Sequence, residues 1–437
     1  MDFKGTNIFK GNKIIWMVLF LLCTISLIEV FSASSMLSYK GGNYWSPIIK
    51  HAGTILFGMV MTVLVLHIDC RYFKIATVVM LFFSAITLVY VLLWGKSEND
   101  ASRWIGLMGF QFQPSEMAKG ALVLATAQIL SAMQTDQGAE EHTMKRILKL
   151  TLPFVAIIAL ENLSTAVLIF LVICMMMFIG RVPMRQLGKL MGVLMIGLVS
   201  VVALIWIVGD DNEDDGKKVL TEKTAPAQTN ANADEGKKTL SWAEKLFHRA
   251  GTWKGRIKKF LNNEEVPPNE YDLANNQQVG YANIAIASSG IVGKMPGNSE
   301  ARDYLPQAFS DFIYAIIIEE MGIWGAFIVA MLYIILLFQS GRIAARCVNK
   351  FPAFLVMGLA LLMVTQALFN MAVAVGLAPV TGQPLPLVSK GGSSTVFSCI
   401  YIGAILSVSR SAKQIASATE NRKRKKEEEG DEKFDRQ

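Results

Sequence analysis

The chain has 437 residues, of which 52% are hydrophobic and 18% are charged, and its mean hydropathy is +0.40. This composition excludes an ordinary soluble globular protein and an intrinsically disordered chain, and it is typical of a protein that crosses a membrane many times. The formal net charge of +7 comes mostly from basic residues in short loops between apolar segments, so it indicates topology and argues against a nucleic-acid partner.

Ten apolar segments are long enough to cross a bilayer as helices, and none shows the alternation of a membrane β-barrel. We therefore predict an all-α polytopic membrane protein with about ten transmembrane helices and a large external loop between spans seven and eight. Glu161 and Asn162 interrupt one apolar run, which we interpret as a polar hairpin turn between spans five and six. The predicted spans are residues 14–34, 50–67, 73–95, 117–134, 147–161, 164–180, 188–208, 308–338, 352–377 and 392–410.

Basic residues in the short loops orient the chain, because Lys and Arg are enriched on the cytoplasmic side of membrane proteins. With an even number of spans, both termini are predicted to be cytoplasmic. We expect no cleavable signal at the start of the chain, since its first span is too long and lacks a processing site. The predicted regions are a cytoplasmic N-terminus at 1–13, spans one to seven within 14–208, an external loop domain at 209–305, spans eight to ten within 306–410, and a disordered charged cytoplasmic tail at 411–437.

The external loop has two parts. Residues 209–238 are polar and predict a flexible insertion. A near match to a calcium-binding loop runs from Asp211 to Glu222, but Glu213 departs from the usual pattern, so a solvated acidic loop is the better interpretation. Residues 241–261 predict a basic amphipathic helix, which either lies on the outer membrane surface or covers the ends of the spans. No Cys falls in this loop and the four His residues lack zinc-ligand spacing, so we predict neither a disulfide nor a metal site.

Asp311 opens a long apolar helix-like run that begins span eight. A carboxylate at a helix start is stabilised by the free backbone amides and the helix dipole, so Asp311 could be an N-cap residue. An ionisable group at the membrane boundary is costly unless it is capped or used, which makes Asp311 a functional candidate as well. Both interpretations stay open from the local sequence.

Two further external loops carry polar residues. Pro114, Ser115 and Glu116 begin span four, and Lys119 follows one turn later on the same helix face, which predicts a local ion pair or a binding site. The loop before span ten contains several prolines and ends in a turn whose free amides and hydroxyls suit an anion. The members of that turn are Ser389, Lys390, Gly391, Gly392, Ser393 and Ser394. Irregular backbone at membrane depth must line protein or a cavity, so the three loops predict a cavity on one face.

Three stretches occur in an order that resembles the SEDS family of peptidoglycan polymerases, the FtsW/RodA proteins, and most closely its division branch. They are ASRWIGLMGFQFQPSEMAKG, YLPQAFSDFIYAIIIEEMGIWG and PVTGQPLPLVSKGGSS, followed by LSVSR near the last span. The resemblance covers most of the chain. It implies ten spans, Asp311 as the catalytic residue, and a cavity lined by Arg103, Glu116, Lys119 and the turn Ser389–Ser394.

The sequence departs from the family pattern at several positions. Asn162 stands where the family usually has Asp, so no carboxylate role transfers to it. Phe309 stands where the family usually has His, which excludes an essential His at that position. Many relatives have another residue in place of Lys390. The resemblance therefore assigns it no role in binding phosphate, and we infer a contact with phosphate from its charge.

The reaction implied by the resemblance extends a glycan strand from the lipid-linked disaccharide lipid II during septal cell-wall synthesis. We expect Asp311 to act as general base, with Arg103, Lys119 and Lys390 around the diphosphate leaving group. Glu319 and Glu320 are too far along the helix or on another face, so no pair of carboxylates forms with Asp311. No cofactor is obligatory, and a divalent cation is compatible with this chemistry.

The resemblance also implies a class B penicillin-binding protein and other divisome membrane proteins as partners, at the division septum of the bacterial inner membrane. Three alternatives stay open: a lipid II flippase, a non-catalytic divisome scaffold, and an elongation-branch polymerase. The scaffold hypothesis relies on small residues in the segment Met357–Ala374, such as Gly358, Ala360 and Ala367, which could dock a partner helix. Glu29, near the external end of span one, is expected to snorkel to the membrane surface.

Overall fold

The structure is a computed structural model that describes residues 9–33, 45–94, 96–98, 101–107, 110–136, 138–208, 277–305 and 308–435. The chain divides into two compact units. The first consists of Met1–Leu187 together with Asp272–Gln437, and the second is Gly188–Tyr271. Every site discussed below lies in the first unit.

The described part of the chain is built mainly of α-helices, and each of the ten predicted spans falls on one of them. Six of the helices are long and apolar enough to cross a membrane by length and composition, and Leu163–Ile179 is a shorter apolar helix. This confirms the predicted all-α polytopic class. The helices are α1 Lys13–Ala33, α2 Ser46–His67, α3 Cys70–Trp94, α4 Pro114–Ala132, α5 Thr143–Glu161, α6 Leu163–Ile179, α7 Met184–Val208, α8 Gln277–Ser289, α9 Ile313–Ala345, α10 Lys350–Ala374 and α11 Ser393–Asp435, and a 3₁₀ turn covers Ala301–Asp303.

The hairpin between α5 and α6 forms as the sequence predicts. Asn162 has extended backbone angles that end α5, and its side-chain oxygen accepts a hydrogen bond from the Thr165 amide at 3.4 Å. This bond satisfies one of the free amides at the start of α6. Glu161, directly before it, is buried.

A short antiparallel sheet between α3 and α4 was not predicted, because the pattern was interpreted as helical throughout. Its strands are β1 Lys96–Glu98, β2 Ala101–Leu107 and β3 Phe110–Phe112. Ile105 pairs with Phe112, and Leu107 pairs with Phe110. Apolar residues at every second position were the available signal, but the run was too short to stand out beside the long helical segments.

The predicted disordered tail is also different in the structure, because α11 continues to Asp435. Lys, Arg and Glu dominate this segment and all three are strong helix formers. Basic and acidic residues also stand four positions apart there, a spacing that supports a helix. High charge excludes a packed core, but it does not exclude a helix.

Helix α10 lies at the centre of the first unit and packs against α4, α6, α9 and α11. Small residues allow these close approaches: a Cβ atom on Gly358 would lie 2.6 Å from the Met176 methyl carbon. Ala360 and Ala367 are likewise fully buried. The small-residue face that could have docked a partner helix is therefore used inside the chain itself, so it does not support the scaffold hypothesis.

Candidate active site

Asp311 lies in a turn that leads into α9, and it is half-buried. The helix begins at Ile313, because the carbonyl of Phe312 accepts the first helical hydrogen bonds, from Ala315 and Ile316. Asp311 is therefore one residue too early to be the N-cap, and that interpretation was wrong. Its carboxylate accepts a hydrogen bond from the Ser310 hydroxyl at 3.0 Å.

Three consecutive carbonyl groups in the Asp311 turn each accept a hydrogen bond from another part of the fold. The Lys390 amide donates to the Phe309 carbonyl at 2.9 Å. The Ser389 hydroxyl donates to the Ser310 carbonyl at 2.5 Å, and the Asn370 amide group donates to the Asp311 carbonyl at 2.8 Å. These bonds fix the backbone on which the Asp311 carboxylate stands.

Lys390 lies next to the same turn. Its ammonium group is 4.9 Å from the centre of the Phe309 ring, a cation–π contact. Burial lowers the pKa of the Lys390 ammonium, and the positive charge of Lys50 lowers it further. Phe309 thus offers an aromatic face that a cation can contact.

Glu116 and Lys119 form the predicted ion pair, at 2.9 Å. Both side chains are buried, at 5% and 0% exposure, so the pair is part of the protein interior. The Lys119 ammonium also donates to the Gln366 side chain at 2.7 Å, and the Tyr401 hydroxyl donates to the Glu116 carbonyl at 2.6 Å. Direct contact between Lys119 and a substrate would require this network to open.

Gln366 and Asn370 connect the Glu116–Lys119 pair to the Asp311 turn, and the sequence analysis did not identify either of them. They stand four residues apart on the same face of α10. Gln366 donates to the Pro384 carbonyl at 2.9 Å, and Asn370 donates to the Gln383 carbonyl at 2.7 Å. Two amide side chains one turn apart in an apolar span were a usable signal, since buried polar groups in a membrane are costly.

The turn before α11 is tied to the start of α4. The Ser393 hydroxyl accepts a hydrogen bond from the Gln113 amide at 3.3 Å, and the Ser394 amide donates to the Gly391 carbonyl at 2.8 Å. Gly392 has a φ of 45°, in the left-handed region that favours glycine. Gly391 and Gly392 are part-exposed, whereas both serines are buried.

Several predicted features cannot be placed. Arg103 lies in β2, and its side chain is outside the described residues. The insertion 209–238, with its near match to a calcium loop, and the segment 241–261 are also outside them. Within the described ranges, no group of three His, Cys, Asp or Glu side chains is arranged to hold a metal ion.

Glu319 and Glu320 bind a loop that packs against α9. Helix α9 breaks at Gly322, where φ is 67° and ψ is −166°. The break leaves the carbonyls of Glu319 and Glu320 open, and the amides of Lys294 and Met295 donate to them at 2.9 and 2.8 Å.

The side chains of the two glutamates reinforce this contact. Glu319 accepts from the Lys294 ammonium at 3.1 Å and from the Ser299 hydroxyl at 2.5 Å. Glu320 accepts from the Ser299 amide at 3.3 Å and from the Ser32 hydroxyl. Glu29 is fully buried, so the expectation that it snorkels was wrong.

Together these features define a polytopic α-helical membrane protein with a polar site where α9, α10 and α11 meet two irregular loops. The model of the family described as "Cell cycle protein" (FTSW_RODA_SPOVE) matches residues 12–213 and 241–414, so the chain belongs to this family.

Two curated relatives match along nearly their whole length. The "Probable peptidoglycan glycosyltransferase FtsW" of Trichlorobacter lovleyi is 27% identical over 418 residues, which covers 94% of this chain and 96% of the relative. The "Peptidoglycan glycosyltransferase MrdB" of Escherichia coli strain K12 is 25% identical over 404 residues and covers 92% and 94%.

Solved structures share the fold. One, described as "Structural coordination of polymerization and crosslinking by a peptidoglycan synthase complex", has a TM-score of 0.64 at 22% identity and covers 91% of this chain and 98% of that chain. The rod shape determining protein RodA of Thermus thermophilus has a TM-score of 0.59 at 20% identity and covers 92% and 97%.

Proposed function

We propose that this chain polymerises lipid II into glycan strands for septal cell-wall synthesis, with Asp311 as the general base. Its class is peptidoglycan glycosyltransferase, as in the curated relatives. The observation that carries the role of Asp311 is the fixation of three consecutive carbonyls, those of Phe309, Ser310 and Asp311, by donors from α10 and the loop before α11. A fixed carboxylate is what general base catalysis requires.

The proposed reaction uses one carboxylate and one nearby cation. A sugar hydroxyl of the acceptor strand attacks the anomeric carbon of the lipid-linked donor, and Asp311 accepts the hydroxyl proton. The bond from the anomeric carbon to the diphosphate oxygen breaks, and polyprenyl diphosphate leaves as an anion. The leaving group needs no proton if positive charge neutralises it.

The Lys390 ammonium lies beside the Asp311 turn, and the part-exposed Gly391 and Gly392 adjoin it. We assign the diphosphate to Lys390 and this turn, with Arg103 as a further contact. Glu116, Lys119, Ser389, Ser393 and Ser394 are buried, so we assign them to holding the site in shape. A divalent cation is compatible with the diphosphate chemistry.

A solved structure with the same fold supports the proposed partner, and the basic residues in the short loops support the proposed topology. A structure that matches this fold belongs to a complex that couples polymerisation and crosslinking, so we propose a class B penicillin-binding protein as partner, beside other divisome membrane proteins. The site is proposed to face the outside of the inner membrane, with both termini cytoplasmic. A fluorescent fusion that forms midcell rings would support the division branch, and lateral patches would support elongation.

The base assignment is tested with Asp311→Asn in vesicles that receive lipid II from outside. We expect polymerisation to fall by roughly 10²–10⁴-fold, because the variant removes the proton acceptor and retains the shape of the side chain. Asp303→Asn is the matched control, since Asp303 lies in the same external segment with a half-exposed side chain. Polymerisation that survives in Asp311→Asn at the wild-type rate would disprove the assignment.

The same vesicles separate the rival functions. The break of α9 at Gly322 and the buried glutamates beside it are also typical of transporters, which favours a flippase as the second candidate. A flippase would move lipid II across the bilayer with Asp311→Asn as well as with the wild type. A scaffold would not polymerise lipid II, either alone or with its partner.

A further inference from the structure

A cavity of about 520 Å³ opens at the end of the helix bundle opposite Asp311. It lies between the start of α3, the end of α4 and the start of α10, and Cys70, Ser131 and Lys350 are among its lining residues. The cavity lies at the first residues of α10, whereas the candidate active site lies near its last turns. Because 25 residues of helix extend about 37 Å, the two places are far apart. The cavity is thus distinct from the site proposed for lipid II.

The lining of this cavity is basic. Arg71, Lys74 and Lys350 are among its nine lining residues, and none of the nine is acidic. Asp69 is an acidic residue next to Cys70, and it binds Arg410 at 2.8 Å more closely than Arg71 at 3.8 Å. The three cations therefore keep an excess of positive charge around the cavity.

Two helix starts also border the cavity. Helices α3 and α10 begin at Cys70 and Lys350, and both residues line it. Asn349, the N-cap residue of α10, makes no side-chain capping bond, so the first amides of that helix lack a side-chain acceptor from it. Free amides at a helix start favour an anion, and here they add to three cationic side chains.

The surface next to the cavity is apolar. Along α3, one to three turns beyond Arg71, Ile75, Val78 and Phe82 are each about 65% exposed. These positions lie on one helix face, because they are three or four residues apart. A phosphate on a lipid headgroup could enter the cavity while its acyl chains lie along this face, which a soluble phosphate would not use.

We infer that this cavity binds the phosphate headgroup of an anionic membrane phospholipid. The positive-inside rule explains why basic residues are on this side, but it does not explain why three of them converge with two helix starts on one cavity. Basic pockets between transmembrane helices are suited to anionic lipid headgroups. Arg71 and Lys350 contact the phosphate, and Lys74, 5.5 Å from the Phe351 ring, stands at the cavity wall.

The test uses the full-length protein in detergent, titrated with phosphatidylglycerol or phosphatidylcholine and followed by native mass spectrometry. We expect the wild type to bind phosphatidylglycerol more tightly. The variant Arg71→Gln/Lys74→Gln/Lys350→Gln is expected to bind it at least roughly tenfold more weakly, since each basic residue near a membrane surface contributes severalfold. Equal affinity of the wild type for the two lipids would overturn the inference.

The control variant is Lys145→Gln/Arg146→Gln/Lys149→Gln, which removes three exposed charges from the first turns of α5, outside the cavity. Its affinity is expected to change by less than about twofold. An equal loss in both variants would mean that lipid binding depends on the general charge of this face, and the inference would fail.

A third arm distinguishes the source of the phosphate. Inorganic phosphate at millimolar concentration is expected not to displace the lipid, and displacement would show that the cavity takes a soluble anion. The three replaced side chains are exposed, so the variant is expected to fold. If its melting temperature is nevertheless lower, Lys74→Arg/Lys350→Arg keeps the charges and must retain lipid binding for the inference to stand.

Discussion

Polar side chains at the two ends of helix α10 have opposite environments. Towards its C-terminal end, Gln366 and Asn370 are buried, and each makes two or more hydrogen bonds to a loop or a side chain. At its N-terminal end, Lys350 is exposed and makes one long hydrogen bond, at 3.4 Å, to the Gln134 carbonyl. Polar side chains at the C-terminal end are buried and hydrogen-bonded, whereas the cation at the N-terminal end lines a cavity.

This difference predicts how the two ends respond to substitution. A buried polar group that loses its partner keeps the full cost of desolvation, whereas an exposed cation is solvated whether it is paired or not. Single substitutions at the Asp311 end should therefore change stability or activity strongly, and matched substitutions elsewhere should change little.

The largest effect on stability is expected for Lys119→Met. The substitution leaves the buried Glu116 carboxylate without its cation, which costs about 3–5 kcal/mol in comparable buried pairs. Thermal unfolding in detergent measures the loss, and Lys74→Met at the opposite end is the control. The double variant Glu116→Gln/Lys119→Met should recover part of the stability, and a single variant as stable as Lys74→Met would contradict the comparison.

A smaller loss is expected for Gly322→Ala. A Cβ atom at this position would lie 2.3 Å from the Ile291 carbonyl oxygen, and the backbone angles are nearly exclusive to glycine, which alone costs about 1–3 kcal/mol. Gly341→Ala, in the same helix, is the control, because nothing lies closer than 4.0 Å to its Cβ atom. Equal melting temperatures for the two variants would show that α9 does not need the break.

The smallest effect is expected for Lys390→Arg, as a change in the pH dependence of polymerisation. Because the pKa of Lys390 is lowered, its ammonium loses the proton at a lower pH than an exposed lysine does, and activity should fall earlier on the alkaline side. Arginine stays charged, so the alkaline limb should move to higher pH while the rate at neutral pH changes severalfold at most. An unchanged alkaline limb of the pH–rate profile would show that Lys390 does not neutralise the diphosphate.

Local features of the fold could be predicted from the sequence. The hairpin at Asn162 needs only a polar residue between two apolar runs, and the Glu116–Lys119 pair needs only helical spacing. The break at Gly322 could not be predicted, since the surrounding residues continue a helical pattern. Its cause lies in the loop at Gly293, whose backbone packs directly against Gly322.

The site was predicted only in part for the same reason. Asp311 was singled out as a candidate by its chemistry, but its place in a turn before α9 depends on Phe312 accepting the first helical bonds. Gln366 binds Lys119 across 247 positions of sequence, and no local pattern specifies that contact. Partners so far apart become visible only once the helices are packed.

The loop before α11 has one further consequence. Pro384 and Pro386 restrict its backbone, Asn370 and Gln366 bind its carbonyls, and Leu387 adopts a φ of 66° that a side chain rarely takes. Ordering such a segment around a ligand would weaken binding at every encounter. In this chain the loss of conformational entropy occurs once, when the protein folds, so a ligand at this site would meet a surface that is already arranged.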